Sequence, residues 1–276
     1  MSATVTRAEV ARSTPGVAFM ALLMRDLNVV RKNLVEFIVR SVMQPLLFVF
    51  VFTYVFPKIG FGVGGSGSGE ATFSSLLVPG VVAIACMFQG VQAVALPLVQ
   101  EFGFTREIED RVMAPLPISA LAIEKIVAGG IQGMFAAVVV FPMAAFIPAT
   151  PVHLDPQWIL VFTLLPLTAF TGAALGLVMG TKVEPRRVPL LFGVVVLPLT
   201  FLGATYYPWA LLNGIRWLQI LVLINPLVYM SEAMRAALTP HLVPHMQIWV
   251  IYLALIGFTV GLGWIGVRGF RQRVLS

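Results

Sequence analysis

The chain has 276 residues, of which 59% are hydrophobic and 11% charged, with a formal net charge of +6 and a pI near 9.9. Soluble domains carry roughly 25% charged residues, so the composition excludes an ordinary water-soluble domain and makes lipid the solvent for much of the chain. A basic protein can bind nucleic acid. Here, however, Lys and Arg sit at the ends of apolar stretches and on one side, which points to membrane orientation and anionic headgroups, with no nucleic acid as partner. The single cysteine, Cys86, lies inside an apolar stretch and excludes a disulfide within the chain.

Residues 1–14 are polar and basic without an apolar core before a cleavage site, and read as a disordered cytoplasmic tail rather than a signal peptide. From Pro15 to Asn33 the pattern is an amphipathic helix, with Phe19, Leu22, Leu23, Leu27 and Val30 on one face and Arg25, Asn28, Arg31 and Lys32 on the other. Such a helix lies in the membrane interface; the alternative is a cytoplasmic extension of the first span. Asp26 intrudes on the apolar face.

A spanning helix needs about 20 mostly apolar residues at a 1.5 Å rise. Spans are expected at Glu36–Phe56, Phe73–Val99, Ala120–Ile147, Trp158–Thr181, Val188–Ala204 and Gln247–Val267. With the N-terminus inside, cytoplasmic segments and span ends hold fifteen Lys and Arg against three outside, namely Lys58, Arg216 and Arg235. That asymmetry places both termini in the cytoplasm.

The run Gly60–Gly69 is a Gly/Ser-rich external linker. Its formal match to G-x-G-x-x-G at Gly60, Gly62 and Gly65 lacks the strand that a dinucleotide site requires. The segment Gln100–Ser119 differs in kind, because Glu101, Glu107, Glu109 and Asp110 alternate with Arg106 and Arg111 while Phe104, Ile108 and Val112 form an apolar stripe over residues 104–113. It reads either as a helical peg for a soluble partner or as a solvated hairpin. Further on, Gly129/Gly133, Gly172/Gly176/Gly180 and Gly257/Gly261 have the spacing that lets helices approach closely in lipid. The stretch from Thr205 to Met246 is too apolar for a loop. Tyr206, Tyr207, Trp209 and Trp217 mark headgroup level, and two short helices are expected to dip into the outer leaflet as a re-entrant hairpin. Glu232 and Arg235 stand one helical turn apart and can pair.

No G-x-x-x-x-G-K-[ST], G-x-S-x-G or H-E-x-x-H occurs. His241 and His245 have the spacing of two ligands on one helix face, but Pro244 separates them, no third ligand is evident and no metal site is assigned. Ionisable groups within the spans are confined to their ends, against the expectation for a proton-coupled pump. Movement must then be powered by another chain.

Several runs together resemble ABC-2-type permeases, specifically the daunorubicin-resistance group of drug exporters: VMQPLLFVFVFTYVF at Val42–Phe56, LLVPG at Leu76–Gly80, EIEDRVMAPLPIS leading into the third span, and TFLGATYYPWALLNGIRWLQILVLINPLVYMSEAMRAAL at Thr200–Leu238. The likeness covers nearly the whole chain in order. It implies an all-α integral membrane domain over 15–276, with six transmembrane helices, an N-terminal interfacial helix, a cytoplasmic coupling helix and an external re-entrant hairpin between spans 5 and 6. It also implies two copies of a separate ABC ATP-binding subunit, which would bind ATP and Mg, and a second permease subunit completing a homodimer. This chain would hold no cofactor, metal or catalytic residue.

On that resemblance the coupling helix falls on Glu101, Phe102, Phe104, Arg106, Glu107, Ile108, Glu109, Asp110 and Arg111, and the external hairpin on Tyr206–Ile224. The E-A-A pattern of importers is matched only loosely. Candidate path residues are the polar groups Gln44, Tyr54, Gln89, Gln92 and Gln132, with Tyr206 and Tyr207 at the hairpin; interhelical hydrogen bonding is the alternative role for those in spans. The implied activity is ATP-driven export of an amphiphilic drug, lipid or polyketide across the plasma membrane. A glycan or glycolipid exporter is the nearest variant. An intramembrane enzyme and a non-transporting scaffold are the rivals from other classes.

Overall fold

The computed structural model describes residues 15–55, 58–59, 68–105, 116–147, 152–183, 192–242 and 244–275. Among them every regular element is helical. Helix α1 is Pro15–Lys32. After Asn33, α2 runs over Leu34–Val49 and continues in wider π-helical turns at Phe50–Val55. Helix α3, Ser68–Gln100, likewise ends in a π-helical turn at Glu101–Thr105. Helix α4 covers Ile118–Phe146 and α5 covers Trp158–Lys182. A π-helical turn at Phe192–Val196 leads into the short α6, Leu197–Phe201. A 3-10 turn at Trp209–Gly214 precedes α7, Arg216–Leu221. Helix α8 is Pro226–Leu238 and α9 is Ile248–Leu275.

Helices α3, α4, α5 and α9 are long and apolar enough to cross a bilayer. Their bounds follow the expected second, third, fourth and sixth spans closely. Two ends differ. Helix α9 continues to Leu275, past the apolar stretch, because its basic last turns pack on α5 rather than end at the headgroups. Helix α3 starts at Ser68, inside the run read as linker. At the expected first span α2 is 16 residues long, short of the requirement, and its π-helical continuation carries the helix to Val55. Of the expected fifth span, residues 188–191 lie outside the described residues, as do the tail at 1–14 and residues 106–111 of the expected coupling helix; the described part, 192–204, is helical only to Phe201.

Helix α3 is the axis of the bundle: 72% of its apolar window is buried, against 17% for α9. The glycine ladder of α5 explains how neighbours reach it. A Cβ on Gly172, Gly176 or Gly180 would come within 3.0, 2.8 and 3.0 Å of the Cα atoms of Met87, Val91 and Ala95, so the two backbones touch every helical turn. Gly257 and Gly261 on α9, by contrast, face nothing within 4 Å. Helix α9 is held to α5 by hydroxyls instead. Thr171 Oγ1 and Thr259 Oγ1 are 2.7 Å apart, and Thr163 pairs with the Tyr252 hydroxyl.

Candidate functional site

Helix α1 presents the face its sequence pattern requires. Phe19, Leu22, Leu23, Leu27 and Val30 are buried or half-buried, while Arg25, Asn28, Arg31 and Lys32 are exposed. Asp26 shares the inner face because it has a partner there. The Lys125 ammonium, on the first turns of α4, donates to Asp26 Oδ2 at 2.9 Å and to Glu101 Oε1 at 2.9 Å. Lys125 and Glu101 are each only 5% exposed. A buried ammonium is tolerable only when paired and hydrogen-bonded, and two carboxylates from two other elements supply that. Glu124 is buried beside it.

The next residue of the α3 terminus faces the other way. The Phe102 ring meets Phe270 of α9 edge to face, with centroids 5.6 Å apart, and the Arg273 guanidinium lies 4.7 Å above it. Arg273 Nη1 donates to the carbonyls of Gly180 at 3.0 Å, Thr181 at 3.3 Å and Val183 at 2.9 Å. It thereby satisfies the last carbonyls of α5 and places a cation at the negative end of that helix. Glu101 and Phe102 thus sit at a junction of α1, α3, α4, α5 and α9, at the basic end of the bundle. The π-helical turn that carries them is a geometry frequent at functional sites.

The opposite, aromatic end is organised by a second ion pair. Arg235 Nη1 donates to Glu232 Oε1 at 2.8 Å, and both side chains are essentially unexposed. Arg235 Nη2 reaches the carbonyls of Ala204 at 2.6 Å and Thr205 at 3.1 Å. Glu232 in turn accepts from the backbone N–H of Trp209 at 3.0 Å and of Met246 at 3.0 Å. Asn225 caps α8, accepting from the Leu227 N–H at 2.9 Å, and donates to the Leu199 carbonyl at 2.7 Å. The turn at Ala204, with φ of 51°, packs so tightly on α3 that a Cβ on Gly80 would stand 2.0 Å from the Thr205 oxygen. Helix α7 with its 3-10 continuation to Ile224 meets α8 at 97°.

The candidate path residues fall into separate places. Gln89 is 2% exposed and accepts from Ser41 Oγ of α2 at 2.8 Å. Gln132 is buried on α4 and Gln92 half-buried on α3. Tyr54 accepts from Lys58 Nζ at 2.9 Å. Tyr206 belongs to an aromatic group with Phe52 at 5.4 Å and Phe201 at 6.1 Å, and the Tyr207 hydroxyl donates to the Phe201 carbonyl at 3.4 Å. The side chains of Gln44 and Phe104, and residues Arg106, Glu107, Ile108, Glu109, Asp110 and Arg111, lie outside the described ones. Of the basic-end partners, Asp26 was legible only as an intrusion on an apolar helix face and Lys125 and Arg273 only as cations of one membrane side; that Asp26 and Lys125 meet, and that Arg273 and Phe270 flank Phe102, was not. Among the described residues no group of three or more His, Cys, Asp and Glu side chains is placed to hold a metal.

Residues 17–239 match the family described as "ABC-2 type transporter". Curated relatives include the inner membrane transport permease YadH of Escherichia coli (strain K12) and its counterpart in Shigella flexneri. Each is 29% identical to this chain over 167 residues, or 59% of its length. The match spans 62% of each relative, less than two thirds of its length.

Proposed function

The chain belongs to the ABC-2 type transporter family, and we propose that it is the membrane-spanning, non-catalytic subunit of an ATP-binding-cassette exporter in the inner (plasma) membrane. In this reading six spans cross the bilayer, the first being α2 with its π-helical continuation and the fifth ending in α6. Both termini and the basic end face the cytoplasm, and the hairpin before α8 sits in the outer leaflet. Two such chains pair as a homodimer with two copies of a separate ATP-binding subunit, which holds ATP and Mg. The cargo is an amphiphilic drug, lipid or polyketide, as in the daunorubicin-resistance group.

The observation that carries the reading is the family match over residues 17–239, from α1 through α8. The word "permease" in the relatives' names and the multi-pass apolar bundle support it. Mechanically, nucleotide-driven closure of the ATPases pushes on residues 101–111, and the junction of Glu101 and Phe102 with α1, α4 and α9 passes that push into the helices. Transport requires two arrangements of those contacts with different affinity for cargo. Reversing the charge of Glu107 and Glu109 together tests it: in proteoliposomes holding both subunits, assembly or ATP-driven transport should be lost. If assembly and transport both stay intact, the coupling assignment is wrong.

A further inference from the structure

A pocket of about 200 Å³ lies between α3, α4, α5 and α8 at the aromatic end of the bundle. Its floor is Val82 of α3, Ala137 of α4, and Met234 and Leu238 of α8, all of them buried. Its rim differs: Val138 of α4 and Trp158 of α5 also line it, and both are more than half exposed. None of the lining side chains is charged, and the Trp158 indole N–H is the one hydrogen-bond donor among them. Helix α8 cannot settle inward to fill the space. The Arg235 bonds to the carbonyls of Ala204 and Thr205 hold it, and its last carbonyls, of Ala237 and Leu238, accept from the N–H groups of Gln157 at 2.8 Å and Asp155 at 3.0 Å.

The depth of the pocket follows from α5. Trp158 opens that helix, and Val161 and Leu165, which also line the pocket, stand three and seven residues further along. At 1.5 Å per residue they lie roughly 5 and 10 Å deeper. An indole favours headgroup level, so the pocket sits in the hydrocarbon just beneath. Its mouth is continuous with the lipid-facing surface, because Ile159 and Phe162 beside it are exposed on a helix long and apolar enough to cross the bilayer.

From this we infer that the pocket holds an acyl chain of a bilayer phospholipid whose headgroup lies level with Trp158. The inference goes beyond the exporter reading and rests on it only for the leaflet, which is the outer one. Water is a poor occupant, since an apolar cavity of about 150 Å³ stays dry and takes up benzene. A cargo site needs placed polar groups to fix an amphiphile's orientation, and this pocket offers one indole N–H. A helix of a second copy, 10–12 Å across, is too wide to enter. The chain completes the packing of Met234 and Leu238 and so buttresses the helix that carries the Glu232–Arg235 pair.

The test uses the full chain in phosphatidylcholine nanodiscs doped with a phosphatidylcholine that carries a diazirine in the headgroup half of one acyl chain. Light expels N₂ and leaves a carbene that inserts into a neighbouring C–H bond, and mass spectrometry locates the adduct. Met234 is closed off from bulk lipid, at 1% exposure, so it is labelled only when a chain enters. Met230, one turn earlier on α8 and equally buried, does not line the pocket and should stay unlabelled. Phe162, on the open surface, should be labelled throughout. Ala137→Phe fills the floor and should abolish the Met234 adduct while leaving that of Phe162; Val161→Phe, which fills the space from α5, gives the same reading if the first variant fails to fold. An unlabelled Met234 in the native chain overturns the inference, as does a Met234 adduct that survives in a folded variant. Labelling of Met230 as strong as that of Met234 would mean an opening bundle and overturns it too. Loss of the Met234 adduct on adding a fluorescent amphiphilic drug, with Phe162 still labelled, would give the pocket to cargo instead. Neither nucleotide nor the ATP-binding subunit takes part, so the labelling decides the lipid site even if the exporter reading fails.

Discussion

The two buried ion clusters stand at opposite ends of one bundle and are built on opposite plans. The Glu232–Arg235 pair is local, three residues apart on α8, and spends its remaining hydrogen bonds on backbone groups of residues 204, 205, 209 and 246. The Lys125 cluster joins side chains 99 and 24 residues distant in sequence, from elements with separate backbones. A pair that binds backbone fixes a fold, since none of its partners can leave without unfolding a turn. Side chains from separable helices make a contact that can be broken and remade while each helix persists. The first plan suits a rigid cap and the second a moving joint.

The contrast predicts a graded set of effects. Glu232→Gln should be the most damaging, because it leaves a fully buried guanidinium without its counter-charge. Breaking such a pair costs about 3–5 kcal/mol, and monodisperse protein in detergent should be largely lost on size-exclusion chromatography. Gly80→Ala comes next, since its Cβ must displace the Thr205 carbonyl that Arg235 holds. Overpacking of this kind costs about 1–3 kcal/mol, read as a lowered melting temperature in detergent. Arg273→Gln removes charge-assisted bonds to the carbonyls of Gly180 and Thr181 in α5 and of Val183 just after it. With the side chain only part-buried, about 1 kcal/mol is expected, together with faster amide exchange at the end of α5. Gly257→Ala should be silent within about 0.5 kcal/mol, because nothing lies within 4 Å of the new methyl. Equal damage from Glu232→Gln and Gly257→Ala would erase the distinction between a fixed cap and the rest of the bundle.

What the sequence made legible follows the same division. The Glu232–Arg235 pair could be foreseen because one helical turn brings the two together whatever the rest of the chain does. Four spans could be foreseen because lipid imposes length and apolarity residue by residue. The use of Gly172, Gly176 and Gly180 was legible as spacing, whereas the identical spacing of Gly257 and Gly261 carries no close packing, since spacing does not name a neighbour. Asp26 looked like a flaw in an amphipathic helix and proves to be a contact. Its partner lies 99 residues on, and nothing local to either residue identifies the other. Arg273 was counted only toward membrane orientation, yet it closes the end of α5 and stacks on Phe102.

In the proposed function this chain conducts cargo but does not power its own movement. Inverted membrane vesicles carrying the chain alone, or together with the proposed ATP-binding subunit, should be compared for uptake of a fluorescent amphiphilic drug. Uptake only with both subunits and hydrolysable ATP is the predicted result. Equal ATP-driven uptake by vesicles in which the chain is the sole added protein, against none in vesicles lacking it, would contradict the account.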